Sequence, residues 1–461
     1  MLPHELHALM RGDSIRGLLD DREEPIVTAE TSGTLAGGFA LWLCDRLNTS
    51  PARLTLAVGR DSHPSSAPLQ ESVHQALSRL GCRILDCREL SIGAIHLATT
   101  HPRVGCQGAI FVQGSADASA ARLLFFDREG MLSADETRRI AQIAASFSVD
   151  GEPVGTIMPF DLLELYAGEL IERFRRDVGL PRMAYQPLRG TRLLVDGGGA
   201  FGRFLVERVL RPLGADTGGS YLADADADTV STPSDEDTDL SLSVLGDAIR
   251  KEGAHYGIWL SSDGNEAILL DGKGHPVTPA QAVLLLTDGS GDRKRTVTIL
   301  LDDGFPQALH EHLNARGYSV VAADGENLAQ NAKRLDQTGV RCTLAADRSG
   351  ALLFGEHSLL QDGLYLAVKL LARLVRLQIE GRTLQDLFLI LDTKGESAME
   401  YHTASQPSIS QPTPVAQTSS APSAEQAVPV VPAPSTAPAA PPLQTVSSTP
   451  AVSALAAESA P

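Results

Sequence analysis

The chain is poor in cysteine and in aromatic residues, has no long apolar run and no surplus of basic charge, and each shortage removes a class of protein. Its five cysteines (Cys44, Cys82, Cys87, Cys106 and Cys342) form no CxxC pair and are odd in number. That argues against a disulfide framework and fits reduced thiols. The twelve histidines show no HExxH motif and no clustered Cys/His spacing, so the sequence gives a zinc site no support. No apolar run reaches the ~20 residues of a membrane-spanning helix. The opening MLPHELHALMRGD has neither the basic head nor the apolar middle of a signal peptide. With 57 acidic against 39 basic side chains the formal net charge is −18, a field that repels nucleic-acid phosphates and anionic lipid heads. The expectation is a cytoplasmic protein with no nucleic-acid and no membrane partner.

What the chain does have changes character near its end. From residue 398 of 461 it consists of Ala, Pro, Ser, Thr and Gln with few bulky apolar residues, as in PVVPAPSTAPAAPPLQTVSSTP. Such a segment cannot bury enough apolar surface to offset the entropy of ordering its backbone, so a disordered tether is expected. A protein partner recruited through the tail is one expectation, a solvated spacer the other.

Upstream, strand and helix patterns alternate. RLTLAVGRDS (53–62) is an apolar strand ending in a polar loop, APLQESVHQALSRLGC is an amphipathic helix that stops near Gly81, and RILDCREL starts another strand. The pattern returns in TRLLVDGGGAFGRFLVERVLRPLGAD (191–216), in VLGDAIRKEGAHYGIWLSSDGNEAILLDGKG (244–274) and in TVTILLDDGFPQALHEHLNARGYSVVAAD. This periodicity predicts an α/β protein of three consecutive similar domains with mixed sheets. The expected boundaries are 1–152, 153–272 and 273–397, with the tail at 398–461. Between two apolar runs, GAIFVQGSADASAARLLFF (108–126) presents Ser115 in a loop, either as a nucleophile or as turn filler.

The order of these segments resembles the α-D-phosphohexomutases. SIRG (14–17) is similar to that family's substrate-phosphate loop, AVGRDSHPSS (57–66) to its first GRD turn, and LLVDGGGAFG with LGAD to the start of its second domain. EGAHYGIWL and LLDGKGHPVTP resemble the strands flanking its metal loop, and LQDGLYLAVKLLARL the helix entry of its third domain. The resemblance implies interconversion of hexose 1-phosphate and 6-phosphate through a phosphoserine and magnesium, with Ser115 as the phosphorylated residue and Arg16 on phosphate. Arg60, beside a glycine, reads equally as an anion contact and as a structural ion pair with Asp61 or a distant carboxylate.

Against the same family pattern the active loops are altered. Where the family has Thr-Ala-Ser-His-Asn-Pro this chain reads QGSADA (113–118), with Ala116, Asp117 and Ala118 beyond the serine. A family lysine on the next strand corresponds to Leu124, with Arg122 nearby. The metal loop, Asp-Gly-Asp-Ala-Asp-Arg in the family, is SSDGNE (261–266). Asp263 is then the remaining carboxylate ligand, Ser261 and Asn265 are neutral oxygens, and Glu266 replaces the arginine. Magnesium is a hard cation that favours charged oxygen ligands, so weak binding or none is expected. The sugar-reading loop, Gly-Glu-x-Ser-Gly-His in the family, is ADRSGA (346–351), keeping Asp347 and Ser349 as substrate contacts and placing Ala351 where the imidazole belongs. His357 is read as structural. The family's fourth domain, a phosphate clamp, falls where this chain has its tail.

Other features carry less. DADAD (224–228), in a long polar stretch with SDEDTD (234–239), reads as a solvated acidic loop, and VDGGGAFG (195–202) does not match GxGxxG or a P-loop. Two readings follow: a phosphohexomutase-like scaffold that binds a hexose phosphate or a partner with activity impaired or lost, and a divergent active mutase working through phospho-Ser115 and magnesium.

Overall fold

Three separate sheets organise the chain in the computed structural model, which describes residues 10–11, 14–16, 27–114, 121–146, 151–152, 154–179, 186–197, 199–222, 235–289, 297–323 and 328–392. All of them fall within the compact unit Met1–Gln406. The Ala/Pro/Ser-rich tail and DADAD lie outside the described residues.

The first sheet holds β1 (Met10–Arg11), β2 (Ser14–Arg16), β3 (Thr55–Arg60), β4 (Arg83–Glu89), β5 (Gly108–Gln113), β6 (Arg122–Asp127), β7 (Gly130–Met131) and β8 (Thr156–Pro159). Its order is β1-β2-β6-β5-β3-β4-β8, with β7 beside β6. The second contains β9 (Leu193–Gly197), β10 (Tyr221–Leu222), β11 (Tyr256–Leu260) and β12 (Ala267–Leu270) in the order β10-β9-β11-β12. The third repeats that order with β13 (Val297–Asp302), β14 (Tyr318–Ala323), β15 (Cys342–Ala346) and β16 (Leu352–Phe354) as β14-β13-β15-β16.

One unit therefore recurs three times. A central strand (β3, β9 or β13) lies between two parallel neighbours, and one of these neighbours turns back into an antiparallel partner. These are the mixed sheets of the α/β class that the alternating pattern predicts. The first sheet runs beyond residue 152, because Thr156–Pro159 pairs parallel with β4. A helix, Asp235–Glu252, begins inside the acidic run at 234–239, with acidic residues in the first turn where the helix dipole favours them.

The sheets alternate as half-turn geometry requires. On β5, Ile110 and Val112 face a core made with Leu35, Phe39 and Leu43 of the helix Ala29–Leu47 and Val73 and Leu77 of the helix Ser66–Arg79. Ala109 and Phe111 face the other way, into a cluster that continues through Tyr166, Phe201, Leu260 and Leu364. That second core runs unbroken across all three sheets. The glycine-rich VDGGGAFG is part of the packing: a Cβ on Gly197 would stand 2.6 Å from Gly202 Cα, so the helix Gly199–Phe204 approaches β9 backbone to backbone.

Polar groups are buried at the centre of this core. Asp362, 3% exposed, caps the helix Gly363–Ile379 by accepting from Tyr365 N at 3.1 Å. Its Oδ2 pairs with His357 Nε2 at 2.8 Å and accepts from the Tyr166 hydroxyl. His357 stacks on Tyr365 with ring centroids 4.2 Å apart and meets His96 edge-on at 5.7 Å. It is thus a structural histidine, as its position after a strand suggests. Beside this cluster Lys369 joins Asp177 at 2.6 Å and Glu356 at 2.8 Å.

Gly93, in the helix Ile92–Thr100, leaves the space that Asp362 and Tyr166 occupy, since a Cβ there would overlap both. Gly93→Ala should cost about 1–3 kcal/mol by forcing these elements apart, read as a lower midpoint in urea unfolding. A second expectation concerns pH. Burial first, and then the neighbouring His357, push the His96 imidazole down to about 3, whereas an unfolded imidazole titrates near ~6.5. Below that value the unfolded chain binds a proton that the folded chain refuses, so stability falls as pH drops from about 6.5 towards 3. His96→Gln should flatten that slope in unfolding curves measured across the window.

Candidate active site

The three repeats place three turns at equivalent positions, each between a parallel strand and its antiparallel partner. They follow β5, β11 and β15, and the sequence-predicted Ser115, Asp263 and Asp347 belong to these turns in that order.

Residues 115–120 lie outside the described residues, so Ser115 is located by its approach. Gly114 N donates to Asp61 Oδ2 at 2.9 Å, and His63 N donates to Oδ1 at 3.2 Å. Asp61 follows β3 directly and is 5% exposed. A side chain at 114 has no room, because its Cβ would stand 2.6 Å from Ser65 Oγ and 2.8 Å from His63. Burial pushes the Asp61 carboxyl up to about 6 against its hydrogen bonds, with the charge of Asp263 adding to the rise. The sign is opposite to that of His96. Folded Asp61 keeps its proton up to about 6, so its contribution to stability is present at low pH and is lost as pH rises through that value.

The second turn is closed by its own side chains. Asp263 Oδ1 accepts from Ser261 Oγ at 2.7 Å and Asn265 N at 3.1 Å. Its Oδ2 accepts from Asn265 Nδ2 at 2.8 Å and from Gln113 Nε2, across the boundary between sheets, at 3.4 Å. Gly264 takes φ +73° where the backbone crosses the buried Phe201 ring, a conformation open to glycine. The predicted metal ligands are therefore together, but Ser261 and Asn265 donate into Asp263 and all four of its hydrogen bonds come from the protein. Asn265 Oδ1 is a buried oxygen left over without a partner. Among the described residues no group of three His, Cys, Asp or Glu side chains could hold a metal ion. One carboxylate engaged within its own turn and one neutral amide oxygen give magnesium little offsetting charge, so these residues fit the ion poorly.

In the third turn Asp347 Oδ1 accepts from Ser349 Oγ at 2.6 Å and from Ala351 N at 3.0 Å. Burial pushes the Asp347 carboxyl up from its ordinary value. Arg348 Nε bonds Asp302 Oδ2 at 3.0 Å, at the end of the central strand as Asp61 is in the first repeat. Among the described residues neither Asp347 nor Ser349 hydrogen-bonds to Asp263 or Gln113.

Two predicted phosphate contacts remain. Arg60 is held by Glu89 at 2.7 Å and donates to the Asp61 carbonyl at 3.0 Å. Arg16 lies on β2 opposite Arg122, and its side chain is outside the described residues. Leu124 is buried in the core. Sequence reasoning missed Asp61 as an anchor and Gln113 as a bridge. For Asp61 the signal was present, a carboxylate directly after an apolar strand, whereas the role of Gln113 depends on Asp263, 150 residues away.

Residues 8–148 match the family model described as phosphoglucomutase/phosphomannomutase, alpha/beta/alpha domain I. A phosphoglucosamine mutase from Nocardioides sp. is 25% identical over 391 residues, covering 81% of this chain and 80% of the relative. The chain is thus similar to the α-D-phosphohexomutases over most of its length, as the order of its segments suggested. Another phosphoglucosamine mutase, from Frankia casuarinae, is 26% identical over 382 residues, 78% of this chain and 77% of its own. Two solved structures share the phosphohexomutase fold. A phosphoglucomutase/phosphomannomutase family protein from Burkholderia thailandensis has a TM-score of 0.62 at 18% identity, covering 82% of this chain and 78% of its own. The exocytosis-sensitive phosphoprotein pp63/parafusin from Paramecium has a TM-score of 0.56 at 14% identity, covering 78% and 70%.

The anchor of Gly114 is open to test. Asp61→Ala leaves the Gly114 and His63 amides without their acceptor and should cost about 1–3 kcal/mol. Asp61→Asn retains an acceptor oxygen and should cost less, the comparison being made by thermal unfolding near neutral pH.

Proposed function

We propose that this phosphohexomutase-family chain binds a hexose phosphate and interconverts its 1- and 6-phosphates poorly or not at all. The observation that carries the reading is Asp263, a single carboxylate whose hydrogen bonds are all taken by Ser261, Asn265 and Gln113. Phosphoryl transfer depends on positioning and on charge set against the three phosphoryl oxygens. A turn that keeps its one carboxylate for itself supplies little of either. The names of the relatives favour glucosamine phosphate as the first ligand to try, with the glucose and mannose phosphates next. The tail is the segment through which such a scaffold would hold a protein partner.

A second reading keeps activity through phospho-Ser115. It is favoured by the Asp61 clamp on Gly114, which fixes the backbone one residue before the serine. Phosphorus NMR with glucosamine, glucose and mannose 1-phosphates, magnesium and a hexose bisphosphate separates the two, with Ser115→Ala alongside. The expected outcome is ligand-dependent line broadening without conversion. Conversion to 6-phosphate that disappears in Ser115→Ala would establish the active mutase instead.

A further inference from the structure

The turn at 261–266 bonds to more than its own strands. Gln113, the last residue of β5, reaches Asp263 from the first sheet at 3.4 Å. From the far side Gly363 N donates to the Gly264 carbonyl at 3.0 Å, and Gln361 Nε2 donates to Glu266 Oε1 at 3.3 Å. Gly363 is itself pressed on the turn, since a Cβ there would stand 2.5 Å from the Glu266 backbone. One six-residue turn thus touches the strand that leads into Ser115 and the start of the helix Gly363–Ile379, the element capped by Asp362.

The chemistry inside the turn matches this mechanical role. Ser261 Oγ donates to Asp263 and also accepts from Glu266 N at 2.9 Å, so its hydroxyl stitches the two ends of the turn together. Asn265 donates to Asp263 through both backbone and side chain. For a cation to take Asp263, these donors and Gln113 would have to turn away, and the boundary contact would go with them. Asn265 Oδ1, the one oxygen left over, is neutral and supplies no compensating charge.

We propose that the Ser261–Glu266 turn is a metal-independent clasp, in which Asp263 serves as the hydrogen-bond acceptor for Gln113 while the Gly264 carbonyl holds Gly363. The clasp rests on the reading that this turn no longer serves as a metal loop, but it concerns how the sheets are joined and is tested without turnover.

The test uses the full chain, with manganese titrated by electron paramagnetic resonance and unfolding midpoints measured in magnesium and in EDTA. The wild-type protein should bind no manganese at millimolar concentration, and its midpoint should be the same in both buffers. Gln113→Ala should lower the midpoint equally in both. Ser261→Asp combined with Asn265→Asp restores carboxylates to the turn and should create manganese binding together with a midpoint that depends on metal. Manganese binding by the wild type that is lost in Asp263→Asn would overturn the clasp, as would a wild-type midpoint raised by magnesium. If a variant fails to fold, the wild-type titration still decides. Hexose phosphate conversion persisting in EDTA would defeat the proposal of impaired turnover and leave the clasp standing, whereas manganese binding that is lost in Asp263→Asn defeats the clasp whatever the turnover.

Discussion

The buried carboxylate of Asp362 fixes how the three repeats meet. It lies at the start of one helix, accepts from a tyrosine on a second and sits against Gly93 on a third. Its charge is compensated by a phenol, an imidazole and a backbone amide, and by the positive end of the helix it caps. The imidazole and the amide flank Asp362 in the chain, but the phenol comes from 196 residues earlier, so the charge is fully compensated only when those two stretches are together. Apolar packing alone would let the layers slide, because one oily face accepts another in many registers. A carboxylate that must find its own donors admits one.

From that junction the three equivalent turns are carried outward on stiff strands. In each repeat a carboxylate at or just past the end of the central strand anchors something nearby: Asp61 the Gly114 amide, Asp196 the Ser241 hydroxyl and Asp302 the Arg348 guanidinium. The residues at the base of these connections are thus held by the framework. Asp263 and Asp347 go further and bond mainly within their own turns.

Much of this was legible in the amino-acid order. Apolar runs five or six residues long marked β3, β5, β9 and β13, and the helix Ser66–Arg79 ends where Gly81 takes a left-handed conformation. The spacing of SSDGNE and ADRSGA placed both turns between the correct strands. Less visible were the partners brought in from far along the chain. Nothing local distinguishes Gln113 from any glutamine at a strand end, and its role depends on Asp263, 150 residues away. Asp362 looks like an ordinary helix cap until Tyr166, 196 residues earlier, is folded against it.

The anchoring of Gly114 by Asp61 has a consequence for how such a protein changes. The contact joins a side chain of one strand to the backbone of another, so it is indifferent to which residues follow Gly114. Whatever follows Gly114 in the chain can therefore be exchanged while the hydrogen bond that holds its amide is kept.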